Sequence, residues 1–105
     1  MAMIRVSVIY PNNPGCTFDM DYYLTKHMPM VGAKLKPALK AMTVDHGISG
    51  AQPGTDAANR VIATLSFDSL EAFQAAFIPH AAEIQGDIAN YTNIVPTVQI
   101  GEVKI

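Results

Sequence analysis

The chain has 105 residues, of which half are apolar and 15% are charged, and its net charge is −2. A chain this apolar can bury enough surface to offset the entropy lost on folding, which excludes a disordered protein. The near balance of charges provides neither a basic surface for nucleic acid nor a polybasic segment for a membrane surface. We therefore expect one folded domain over residues 1–105, with no nucleic-acid or membrane partner.

The single cysteine, Cys16, cannot form a disulfide within the chain, which suits a reducing compartment. No apolar stretch is as long as a membrane span, and the N-terminus lacks a signal-peptide pattern. We expect a cytoplasmic location. A domain this small has little interior of its own, so we also expect part of its apolar surface to contact a second copy of the chain.

The first half of the chain predicts a strand, an interrupted helix and a second strand. β-branched residues fill 3–10, and a cluster of Pro, Asn and Gly follows them. Asp19 is a candidate N-cap for the helix. Pro29 lies within the helical pattern, so we expect a kink or a break after His27, with the proline opening a second short helical piece. A strand over 39–50 follows.

The second half repeats this order. A strand is predicted over 60–67, and 68–69 offer N-caps for a helix that Pro79 interrupts. The last strand is predicted over 94–103, where Pro96 favours a sheet edge or a late start.

The resulting order, β-α-β-β-α-β, predicts an α+β, ferredoxin-like domain, in which both helices cover one face of an antiparallel sheet. Strand alternation places apolar residues on both faces, with Ile4 and Val6 on one side and Ile9 on the other. Two such sheets packed face to face would bury the uncovered apolar groups. The sequence therefore predicts a homodimer.

Sequence motifs for cofactors are missing. The chain has no phosphate-binding loop, no dinucleotide fingerprint, no nucleophile elbow and no HExxH zinc motif. We expect no cofactor. Cys16 has no neighbouring base in the sequence and is expected to be an inert thiol.

The first helix carries the clearest candidate chemistry. Asp19, Tyr23 and His27 recur at four-residue spacing and share one helix face, with Tyr22 and Lys26 in a neighbouring row. An imidazole beside phenols at a helix break can transfer protons near neutral pH. The alternative is that the histidine only caps carbonyls freed by the proline.

Three other features are candidates. His80, Glu83 and Asp87 share one helical face and could bind a divalent metal or share protons. The simpler interpretation pairs the histidine with the glutamate, and we expect no metal. Tyr91 precedes the last strand and could point into a cavity as a hydrogen-bond donor. His46 is expected to be a core residue of the second strand. It would become the candidate functional histidine if His27 has no role.

Two segments resemble the EthD family, named for ethyl tert-butyl ether degradation, within the dimeric α+β barrel superfamily. They are 21–29, which reads DYYLTKHMP, and 81–93, which reads AAEIQGDIANYTN. The opening MIRVSVIYPNN is similar too, so the resemblance covers essentially the whole chain. It implies a ferredoxin-like protomer whose sheet pairs with that of a second subunit to close a barrel.

The resemblance also implies roles for particular residues. In several relatives a histidine near the end of the first helix faces the pocket and donates or accepts a proton, and His27 occupies that position. The expected catalytic residues are His27, Tyr91, His80 and Asp87, and the expected substrate contacts are Tyr23 and Asn90.

We expect a small cofactor-independent enzyme of small-molecule catabolism, which isomerises, dehydrates or oxygenates a small apolar oxygenated compound. His27 would shuttle a proton while Tyr91 or Tyr23 hydrogen-bonds a carbonyl or enolate oxygen. A non-catalytic binding or accessory protein for an apolar metabolite would need the same pocket. The family's label as a reductase implies an oxidoreductase, and haem binding through His27 or His80 is a further alternative.

Overall fold

The computed structural model describes residues 3–105, so the first two residues of the predicted domain lie outside the described part. The strands are β1 (Ile4–Pro11), β2 (Ala41–His46), β3 (Asn59–Phe67) and β4 (Thr97–Glu102). They form one sheet in the order β2-β3-β1-β4, and every neighbouring pair is antiparallel. This confirms the predicted α+β, ferredoxin-like arrangement.

The helical segments follow β1 and β3, as predicted. The first run consists of α1 (Met20–Tyr22), a π-helical turn (Tyr23–His27) and α2 (Met28–Leu35). The second consists of α3 (Leu70–Phe77), a 3-10 turn (Ile78–His80), α4 (Ala81–Gly86) and a further 3-10 turn (Ile88–Asn90). Within residues 3–105, no helix is long and apolar enough to cross a membrane.

The core lies between the sheet and the helices. Alternate residues of β1 and β3 face it, among them Val6 and Leu65, which are opposite each other in register and are both buried. Leu35 of α2 and Phe73 of α3 are buried against the same face of the sheet. Burying an apolar side chain of this size contributes roughly 1.5–3 kcal/mol, so this face anchors both helical runs.

The outward face of the sheet is more polar than the core face. Ile9 of β1 lies opposite Ile62 of β3, and the next pair on this face is Ser7 with Thr64. All four residues are partly exposed. The predicted apolar residues on both faces are therefore present, but on the outward side they are concentrated in the isoleucine pair.

Two strands differ from the prediction by more than one residue at an end. β2 pairs over 41–46 rather than 39–50. At Gly47 the chain passes so close to β3 that a Cβ atom would clash with the Asn59 carbonyl oxygen, and beyond it the chain leaves the sheet. β4 starts directly after Pro96 and is an edge strand, which confirms both features that the proline predicted.

Candidate functional site

The first helix begins at an aspartate cap and changes its hydrogen-bond pattern just before Pro29. Oδ1 of Asp19 accepts a hydrogen bond from the backbone N–H of Tyr22 at 3.0 Å, which confirms the predicted N-cap. Pro29 has no N–H, and its ring crowds the carbonyl four residues earlier. The segment Tyr23–His27 instead forms a π-helical turn, in which the following N–H donates to the first carbonyl of the turn.

This turn directs two side chains into the protein. The chain does not break after His27, because His27 and Met28 both keep helical backbone angles; α2 continues from the π-helical turn, with Pro29 in its first turn as predicted. Tyr23 and His27 are 1% and 4% exposed. Their rings stack with centroids 5.5 Å apart and planes 14° apart, which restrains the imidazole. Such π turns inside helices are frequent at functional sites.

A carboxylate holds one nitrogen of His27. Nδ1 lies 2.9 Å from Oδ2 of Asp87, which follows α4. Oδ1 of the same carboxylate accepts from the Tyr22 hydroxyl at 2.7 Å and from Nδ2 of Asn90 at 2.8 Å. Partial burial raises the pKa of Asp87, but the hydrogen bonds from Asn90, Tyr22 and His27 outweigh it and hold that pKa below its usual range. Asp87 is thus ionised at neutral pH and can only accept, so Nδ1 of His27 carries a proton.

Nε2, the other ring nitrogen of His27, lies beside two buried tyrosines, Tyr91 and Tyr10. The Tyr91 hydroxyl is 3.4 Å from Nε2, and the Tyr10 hydroxyl is 2.7 Å from that of Tyr91. Burial raises the pKa of both phenols, which keeps both protonated.

Sequence reasoning missed Tyr10. Tyr10 is the last of the alternate β1 residues that face the core, and a position in that pattern by itself predicts only a packing role. The available signal was chemical, since a tyrosine on a buried face needs a hydrogen-bond partner.

A cavity of about 530 Å³ lies between the sheet and the helices. Its polar lining residues are Tyr10, Tyr23, His27 and Gln85, and the rest of the lining is apolar. The first three are grouped by ring contacts, and we call them the polar end of the cavity. The chemistry available to a bound molecule is therefore concentrated at one end of an apolar space.

The cavity opens beside the edge strand. Val98 and Ile100 of β4 belong to its lining, yet they are 56% and 45% exposed. Gln85 of α4 also belongs to the lining and is exposed. A molecule can therefore enter between β4 and the second helical run.

The structure brings together some of the predicted site residues but not all of them. Asp87 joins His27, as described above. Tyr91 is not among the lining residues, but it contacts all three residues of the polar end, Tyr10 and His27 through its hydroxyl and Tyr23 through its ring. Asn90 contacts Asp87 at the exposed side and lies outside the cavity lining.

His80 lies apart from this group. It is half-buried in a 3-10 turn and is not among the cavity lining residues. Glu83, its expected partner, forms an ion pair with Lys34 at 3.3 Å. In the part of the chain that the structure describes, no three His, Cys, Asp or Glu side chains are grouped to hold a metal ion.

The expectation that His46 is a core residue is wrong. His46 is exposed. His46 is the last residue of β2, the second edge strand of the sheet, and lies opposite Val61 of β3 but outside the buried core cluster.

Comparisons with known proteins agree with this architecture. The sequence profile described as EthD domain matches residues 17–94. An EthD-like protein from Ralstonia eutropha is 46% identical, with a TM-score of 0.94, over 100% of this chain and 95% of that one. An ethyl tert-butyl ether degradation (EthD) family protein from Bacillus halodurans is 21% identical, with a TM-score of 0.73, over 96% of this chain and 98% of its own.

A dimeric ferredoxin-like protein of unknown function from Thermobifida fusca shares the fold at 16% identity and a TM-score of 0.63, over 97% of this chain and 92% of that one. No curated protein matches the sequence.

Proposed function

The chain belongs to the EthD family, and we propose that it is an enzyme in which His27 exchanges a proton with a small, neutral, mostly apolar molecule held in the cavity. The observation that carries this proposal is the position of His27, at the end of an apolar cavity with the Asp87 carboxylate 2.9 Å behind it. The reaction class is an isomerisation, a dehydration or an oxygenation step that needs no bound cofactor.

The surroundings suit His27 to act as a proton acceptor. An ionised carboxylate at Nδ1 stabilises the imidazolium that forms when the other nitrogen takes a proton. Both partners are largely removed from water, with side-chain exposures of 5% and 17%, so their attraction is stronger than at a surface.

The cavity lining supports the choice of a neutral ligand. Among the described residues that line the cavity, none is an aspartate, glutamate, lysine or arginine. A carboxylate or phosphate would lose its hydration there without gaining a counter-charge. The apolar walls instead favour carbon rings or chains, and the polar end favours one oxygen function.

We also propose that the protein forms a homodimer through the outward face of the sheet. Ile9 and Ile62 pair on that face and remain partly exposed. The structural relative from Thermobifida fusca is described as dimeric, and burying the isoleucine pair against its copy would remove apolar surface from water.

Proton exchange on a panel of neutral bicyclic ketones, lactones and phenols in D2O, followed by NMR, tests the catalytic proposal. We expect at least one compound to shift the amide signals of cavity residues and to exchange a carbon-bound proton. His27→Gln should lower that exchange about 10²–10⁴-fold while binding persists. His46→Gln is the matched control, because His46 is exposed and outside the cavity lining.

Each outcome separates the candidate roles. Equal exchange rates in wild type and His27→Gln would remove His27 from the mechanism. Binding without any exchange would favour the accessory, non-catalytic role, which needs the apolar cavity alone. A panel in which nothing perturbs the cavity signals would contradict the proposal as a whole.

A further inference from the structure

The hydrogen bonds that link Asp87, His27, Tyr91 and Tyr10 allow one consistent assignment of donors and acceptors. Asp87 accepts at Oδ2, so Nδ1 of His27 donates and the single lone pair of Nε2 must accept. The Tyr91 hydroxyl, 3.4 Å from Nε2, is then the donor. The oxygen of Tyr91 is left to accept, so the Tyr10 hydroxyl, 2.7 Å away, donates to it. The proton of Tyr10 therefore points away from the cavity.

This direction decides what the cavity offers to a ligand. Tyr10 lines the cavity and Tyr91 does not, so Tyr10 presents an oxygen lone pair rather than a proton. Tyr23 is the other phenol of the polar end. Burial, and then the neighbouring Tyr10 phenol, raise its pKa, so it keeps a proton that it can donate to Tyr10 or to a ligand.

We propose that the cavity selects ligands that carry a hydroxyl group, such as an alcohol, a phenol or an enol, and that Tyr10 accepts the hydrogen bond from this hydroxyl. The inference rests on the proposed function and specifies its substrate class. A hydroxyl can donate to Tyr10 and accept from Tyr23 at once. A ketone or an ether brings only acceptors, and would place its lone pairs against those of Tyr10 in a mostly apolar cavity.

The same chain can carry the hydroxyl proton to His27. The ligand O–H bond breaks as the proton passes to Tyr10, the former Tyr10 proton passes to Tyr91, and the former Tyr91 proton passes to Nε2. One proton leaves the ligand and one arrives at His27, which leaves a ligand oxyanion and an imidazolium beside Asp87. Tyr10 is therefore the residue that touches the ligand, while Tyr91 relays the proton.

Two probes of one carbon skeleton, 1-tetralol and 1-tetralone, test the inference in binding titrations followed by ¹H–¹⁵N NMR. In the wild-type protein we expect the alcohol to bind about fivefold more tightly or better, the effect of one net hydrogen bond. Tyr10→Phe keeps the ring and its packing but removes the acceptor, and should bring the two dissociation constants to within about twofold.

Val98→Ala is the control at the open end of the cavity. It removes apolar contact from both probes, so both should weaken while their ratio stays unchanged. A ketone that binds as tightly as the alcohol, or an alcohol preference that survives in Tyr10→Phe, overturns the inference and leaves the proposed function standing. If neither probe binds, the inference is overturned, while the proposed function is decided by the panel described above.

Discussion

Replacing Asp87 by asparagine should invert the tautomer of His27. The carboxylate accepts on both sides, from His27 at Oδ2 and from Tyr22 and Asn90 at Oδ1. An asparagine of the same shape has one carbonyl oxygen and one NH2 group. With its oxygen toward the two donors at the surface, its NH2 group faces Nδ1, which must then accept, and the imidazole proton moves to Nε2.

The loss in stability can be estimated from the same contacts. Hydrogen bonds to a charged group contribute about 1.5–3 kcal/mol and neutral ones about 0.5–1.5 kcal/mol. Asparagine retains neutral versions of the contacts, and the Asp87 side chain is 17% exposed, so part of the difference is screened. We expect Asp87→Asn to lower the free energy of unfolding by about 1–2 kcal/mol, and the Tm by about 5–15 °C for a domain of this size.

Two measurements check this prediction without any substrate. Long-range ¹H–¹⁵N NMR of the imidazole should show a protonated Nδ1 in the wild type above neutral pH and a protonated Nε2 in Asp87→Asn. Thermal unfolding should show the loss of stability. Asp68→Asn is the matched control, because Asp68 is an exposed carboxylate 3.7 Å from Lys40 and its replacement should change stability by less than about 0.5 kcal/mol. A wild-type protein with the proton on Nε2 would refute the assigned hydrogen-bond directions.

Two further predictions concern pH and assembly. Folding lowers the pKa of Asp87, so the ionised carboxylate stabilises the protein above the unfolded pKa of about 3.9, and this stabilisation is lost as the pH falls through the folded pKa. The difference in unfolding free energy between wild type and Asp87→Asn should therefore shrink from pH 6 to pH 2. A difference that stays constant over this range would contradict the lowered pKa of Asp87. Ile62→Glu places a charge on the outward face and should convert a dimer into a monomer of 11.3 kDa in sedimentation or light scattering. Ile48→Glu, at a loop residue that is 95% exposed, should leave the dimer intact; a wild-type monomer at micromolar concentration would remove the proposed interface.

Features of the fold that depend on neighbouring residues were predictable from the sequence. Asp19 caps a helix through a bond to a residue three positions away, and Pro29 perturbs the turn that immediately precedes it. Pro96 likewise predicted the late start of an edge strand. In each case the cause is a local property of the residue, namely a side-chain acceptor or a missing N–H.

The composition of the site was less predictable, because it depends on how distant segments pack. His27 and Asp87 are 60 positions apart, and no periodicity specifies their contact. The shared face predicted for His80 and Asp87 assumed one uninterrupted helix. The 3-10 turn at Ile78–His80 ends just before α4, and α4 ends at Gly86, so both residues lie outside the α-helix. Their spacing therefore does not determine whether their side chains project from the same face.

Because the cavity opens beside β4, its entrance and its proton-transferring groups are formed by different parts of the chain. The proton-handling groups come from the end of β1, the first helix and the segment around Asp87, whereas the entrance is bordered by Val98 and Ile100 on an edge strand. Substitutions along that strand can widen or narrow the entrance without displacing His27 or its partners. A protein built this way can acquire a new ligand range by changes at one margin while its reactive end stays constant, which gives the fold room for divergence among its relatives.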